Sequence, residues 1–144
     1  MAQKWNPAEP ARLFDRATIN IRNLRLRTFI GFNDEERAKK QDVVLNLEIS
    51  YLTHPAVFND EVEDALNYKT IAKAVIRQVE EGRFLLLEKL VADVLATCSS
   101  HPEVTHARVT IDKPHALRFA DSVSLTLEYD KNSVKTMTLL EKAS

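Results

Sequence analysis

The order of the hydrophobic periods constrains this chain most. Val43, Leu45, Leu47, Ile49 and Tyr51 alternate with Val44, Asn46, Glu48 and Ser50, the period-2 pattern of a strand with one buried face. Ahead of it, residues 18–30 alternate in two parities, first Ile19 and Ile21, then Leu24, Leu26 and Ile30. The slip near Asn23 predicts a bulge. Two helical stretches come next. One carries Ile71, Ala72, Val75 and Val79 on a single stripe, and the other Phe84, Leu87, Val91, Val94, Leu95 and Cys98. Gly82 separates them, and the second helix is expected to begin directly after it. Ala107, Val109 and Ile111, and then Val123, Leu125, Leu127 and Tyr129, return to period two. The resulting order, ββααββ, predicts an α+β domain: a four-stranded antiparallel sheet with both helices on one face. Such a sheet has two edges that need covering or pairing. Joining sheets between subunits into a barrel would remove them.

Composition narrows the function classes. The 144 residues fit one domain. A net charge of −1 gives no basic excess for nucleic acid or an anionic membrane. Only two glycines are present, Gly31 and Gly82, so a Gly-rich phosphate loop is excluded. Cys98 is the sole cysteine and reads as a small buried hydrophobe. No segment reads as a signal peptide or a membrane span, and the cytoplasm is the expected location. Residues 1–16, with Trp5, Pro7 and Pro10, read as a loosely ordered arm. Residues 17–129 form the domain, and 130–144 a tail.

Four side chains stand out for chemistry. Glu88 falls at the helical spacing of the second apolar stripe, with Phe84, Leu85, Val91 and Ala92 around it. A carboxylate there either snorkels out and pairs with a lysine, or awaits a ligand with N–H donors. Lys113 ends a strand just before Pro114, where a lysine is ordinarily a solvated edge guard. In a partly desolvated pocket an ammonium gives up its proton more readily and serves as a base. Tyr68 opens the first helix as a core residue or a proton donor, and Glu36 lies in a charged connection, by default solvated. Together they make a general acid/base set with a binding carboxylate. His54, His101, His106 and His115 show no metal-ligand spacing.

Four segments, in order, resemble the dihydroneopterin aldolase family. They are Gly31 to Gln41 with Glu36 five residues before Gln41, then Leu66-Asn67-Tyr68 before a helix, then Leu86-Leu87-Glu88, then Ile111-Asp112-Lys113-Pro114. They span about residues 17–129. The continuation His115-Ala116-Leu117-Arg118-Phe119-Ala120-Asp121 is similar to the branch of that family that inverts a side-chain carbon rather than cleaving it.

The resemblance implies the tunnelling fold, with four subunits closing a barrel and two barrels stacked into a homo-octamer whose sites lie between subunits. It implies a pterin substrate, with Glu88, Leu87 and Leu66 binding the ring. Lys113 would act as base, Tyr68 of a neighbouring subunit would handle protonation, and Glu36 would position Lys113. No metal or added cofactor is needed, because the dihydropterin carries its own imine as electron acceptor. The implied activity is epimerisation at C2′ of 7,8-dihydroneopterin triphosphate. Aldol cleavage in folate synthesis is the alternative, and a non-catalytic pterin-binding barrel a third. The product would feed a tetrahydromonapterin route. A triphosphate needs cations, and Arg118, His115 and Arg27 are the candidates.

Overall fold

A computed structural model of the chain describes residues 15–54, 57 and 59–133. The arm and the tail, apart from their innermost residues, lie outside that range.

The sheet is built from β1 (Arg16–Ile30), β2 (Gln41–Leu52), β4 (Val104–Pro114) and β5 (Ser122–Asp130), paired antiparallel. A two-residue strand, β3 (Arg83–Phe84), adds a fifth member parallel to the end of β1. The order across the sheet is β3-β1-β2-β4-β5. The bulge in β1 falls between Ile21 and Leu24. Asn23 takes φ +55° there, a conformation asparagine tolerates better than most residues. Its backbone N–H is satisfied by the Asn46 side chain at 3.0 Å.

The helices α2 (Tyr68–Glu80) and α3 (Leu87–Cys98) cover one face. Ile71, Val75 and Val79 of α2, and Leu90, Val91, Val94 and Cys98 of α3, are buried against Leu26, Val43, Leu45, Leu47, Ile49, Ala107, Val109 and Ile111 of the sheet. Burial of that apolar surface is the main driving force for the fold. The opposite face is polar, with Thr18 against Ser50 at 2.9 Å and Arg108 against Glu128 at 3.4 Å.

Two expectations are corrected. The sheet has five strands, not four, and the second helix starts at Leu87 rather than just after Gly82. A side chain at Gly82 would meet the Phe84 ring at 2.4 Å and the Gln78 carbonyl at 2.7 Å, so the chain turns tightly here. The Phe84 carbonyl accepts a hydrogen bond from the Gly31 N–H at 2.9 Å, which extends the sheet instead of a helix. Buried Phe84 matches the helical period only because it packs on the same core. Within α3, Glu88 lies to one side of the inward face formed by Leu87, Leu90, Val91, Val94 and Cys98. It is exposed in the first turn, not buried.

The edge expectation stands for the single chain. β3 pairs only with Phe29 and Ile30, so the rest of the outer side of β1 has no strand partner among the described residues, nor has that of β5.

Candidate active site

Lys113 continues the buried row Ala107, Val109, Ile111 of β4 at the end of the strand. This places its ammonium on the helix-covered side of the sheet. The loop from β1 to β2 folds over that end and contains a short helix, α1 (Asp34–Ala38). α1 buries no side chain, so polar contacts hold it. Asn33 caps it by accepting from the Glu36 N–H at 2.8 Å. Glu36 then reaches Lys113, with Nζ donating to Oε2 at 2.9 Å. The two side chains are only 14% and 23% exposed. The default readings of a solvated acid and a solvated lysine are therefore replaced by a half-buried ion pair.

The hydrogen bond from Lys113 holds the Glu36 carboxyl below the ordinary carboxylate range, against an opposing push from desolvation. A carboxyl depressed on folding contributes stability that is present above its unfolded value and lost as pH falls through the folded one. The melting-temperature gap between the wild type and Glu36→Gln should thus narrow as pH falls through the acid range. Thermal unfolding followed by circular dichroism at stepped pH measures this.

Gly31 makes room for the pair. Its φ is +122°, and a Cβ there would lie 2.1 Å from the Glu36 carboxyl carbon. The Gly31 N–H bond to the Phe84 carbonyl ties the start of this loop to the segment leading to Glu88. Phe32, Leu85 and Leu86 are exposed apolar side chains around this end. The Glu88 carboxylate makes no hydrogen bond or ion pair among the described residues. Leu87 beside it is partly buried on the core.

Tyr68 and Leu66 are at the other end of the molecule. Leu66 and Asn67 line a depression of about 470 Å³ with Tyr51, Leu52, Thr53, His54 and His101. Val43 of β2 lies at the Lys113 end, and at about 3.4 Å per residue Leu52 is roughly 30 Å further along the strand. Within one chain, Tyr68 and Leu66 do not meet the Lys113–Glu36 pair.

The three candidate phosphate cations are also divided. Arg27 points away from the helices, between buried Leu26 and Thr28, and pairs with Asp42 at 3.2 Å. It shares a depression of about 350 Å³ with Arg25, Pro114 and His115. His115 adopts φ +69° at the turn after Pro114. Arg118 sits in the exposed turn between β4 and β5, its guanidinium 5.4 Å from the ring centre of Phe119.

The sequence profile described as dihydroneopterin aldolase matches residues 19–128. The chain belongs to the dihydroneopterin aldolase family. It is 54% identical to the dihydroneopterin triphosphate 2′-epimerase of Pseudomonas aeruginosa over 77% of this chain and 90% of that one. To the Escherichia coli K12 protein of the same name it is 51% identical, over 86% of this chain and 99% of that one. Among solved structures, E. coli dihydroneopterin aldolase in complex with neopterin superposes with a TM-score of 0.73 at 29% identity, covering 78% and 98% of the two chains. The family's tunnelling fold is the one described above. Sequence reasoning missed Gln41 as a partner of Glu36, and Gly31 as the space that Glu36 fills. The five-residue spacing of Glu36 and Gln41 was the one available signal.

Proposed function

We propose that the protein inverts C2′ of 7,8-dihydroneopterin triphosphate, giving dihydromonapterin triphosphate. The observation that carries the choice of reaction is the identity of 51–54% to proteins named for it, set against 29% to an aldolase. The half-buried Lys113–Glu36 pair supports the chemistry.

In this reading Glu88, with no partner among the described residues, receives the N–H edge of the pterin as a charge-assisted pair. Leu87 and Leu66 pack the ring. Lys113 takes the proton of the 2′-hydroxyl, directly or through water. The C1′–C2′ bond breaks, an aldehyde forms at C2′, and the electron pair moves from C1′ into the ring imine. The aldehyde fragment turns and adds back through its other face, and the proton returns to the 2′-oxygen. If the fragment leaves and C1′ is protonated, the same site performs aldol cleavage. Glu36 orients Lys113. Tyr68 and Leu66, which lie toward the far end of β2 from the pair in one chain, are supplied by a second copy, in line with the unpaired edges of β1 and β5. The assembly is a homo-octamer of two stacked rings in the cytoplasm, and the product enters a tetrahydromonapterin route. Among the described residues no helix is long and apolar enough to cross a membrane. His115, Arg118 and Arg27 are the proposed triphosphate contacts, with Arg27 reaching the tail only around the sheet's end.

The test is to incubate the purified protein with the triphosphate and the unphosphorylated substrate side by side, resolving epimers and cleavage product by chromatography. The second epimer should dominate with the triphosphate. Cleavage as the main outcome on both substrates would make the protein an aldolase.

A further inference from the structure

We propose that Gln41 is a positioning residue for this reaction: its side-chain amide, anchored on the Ile30 carbonyl, holds the Glu36 carboxylate in the orientation that meets Lys113. The proposal rests on the reading of Lys113 as the base. Gln41 begins β2 and Ile30 ends β1, so the amide ties together the two ends of the loop that carries Glu36. Its Nε2 has two hydrogens to give. One goes to the Ile30 carbonyl and the other to Glu36 Oε2 at 3.3 Å.

The consequence lies in which oxygen is used. Oε2 of Glu36 receives both Gln41 and Lys113. Oε1 receives no hydrogen bond among the described residues. The carboxylate is thereby held with one oxygen committed to the lysine and the other free for a water or a substrate hydroxyl. α1 buries nothing that would otherwise fix the Glu36 rotamer. Asn33 fixes only its backbone. Without the amide, the carboxylate could swing about its own side-chain torsions and share Lys113 between its two oxygens. Lys113 is the one charged side chain bonded to Glu36 among the described residues.

Two substitutions separate positioning from bulk. Gln41→Leu keeps the size and removes both donated bonds. It should lower kcat at least about tenfold, the worth of one charge-assisted hydrogen bond, and leave KM close to the wild-type value because Glu88 is untouched. Gln41→Glu sets a second carboxylate against Glu36. It should be nearly inactive at neutral pH and recover relative to the wild type as pH falls toward about 5, where a protonated carboxyl can donate as the amide does. A third readout does not depend on the reaction. The carboxyl ¹³C shift of Glu36 should titrate at higher pH in Gln41→Leu than in the wild type. Wild-type kcat, pH profile and titration in Gln41→Leu would overturn the proposal. An unaffected Lys113→Ala control would instead overturn the reading of Lys113, while the Glu36 titration would still decide whether Gln41 holds the carboxylate.

Discussion

Lys113→Ala should lower the turnover of dihydroneopterin triphosphate by about 10²–10⁴-fold, the usual worth of a positioned acid or base. Lys113 is the one basic side chain bonded to Glu36 among the described residues, and it is held there by its place in a buried strand row. Removing it takes away the base and leaves a half-buried carboxylate with Gln41 as its remaining side-chain donor. The Glu36 carboxyl should then titrate closer to the ordinary carboxylate value, since Lys113 is the main cause of its depression. Pterin affinity should change little, because Glu88 belongs to α3 and makes no contact with the pair. Lys113→Arg should not restore activity. Guanidinium keeps its proton at any working pH and so cannot serve as the base. Steady-state kinetics with a fluorescence titration of pterin binding separates the two effects. A raised KM with unchanged kcat would move Lys113 from chemistry to binding.

Gly31→Ala should damage activity nearly as much, without replacing a charged group. The new Cβ would lie 2.1 Å from the Glu36 carboxyl carbon and within 2.4 Å of both its oxygens. Glu36 is the flexible partner, so it should swing away and break its bond to Lys113. A backbone at φ +122° adds strain of about 1–3 kcal/mol for a residue with a side chain. The two effects are separable. Strain should appear as a lower melting temperature, and the clash as lost turnover that further substitution at Glu36 does not deepen. Gly31→Ala combined with Glu36→Gln should therefore be no slower than Gly31→Ala alone. If the losses instead multiply, Gly31 acts on something other than Glu36.

Much of this architecture is legible in period alone. The strands around Leu47 and Val109 alternate cleanly because one face packs on helices and the other is polar. The slip at Asn23 is visible because a bulge changes parity. The boundary near Phe84 is not legible. Phe84, Leu87 and Val91 fit a helical spacing whether or not the backbone is helical, and what decides is the Gly31 N–H that Phe84 satisfies from a distant strand. Glu88 is three residues before Val91, which matches the stripe by spacing, but the buried set Leu90, Val91, Val94 and Cys98 centres the inward face away from it. For the site, type and position alone leave Glu36 a solvated acid and Lys113 a solvated edge lysine; the family resemblance brings them together, and their meeting depends on tertiary folding of the loop. Gln41 is marked only by its five-residue spacing from Glu36, because a polar residue at a strand start is ordinary. Tyr68 and Leu66 are apart from the pair in the single chain, so their part in the site depends on assembly.

The decisive question is whether C2′ is inverted by breaking a carbon–carbon bond. Running the reaction in deuterium oxide and examining the recovered epimer by NMR tests this. Retro-aldol cleavage and re-addition never break the C2′–H bond. The expected product is the second epimer with its triphosphate intact and hydrogen, not deuterium, at C2′. Deuterium at C2′, or no second epimer, would contradict it.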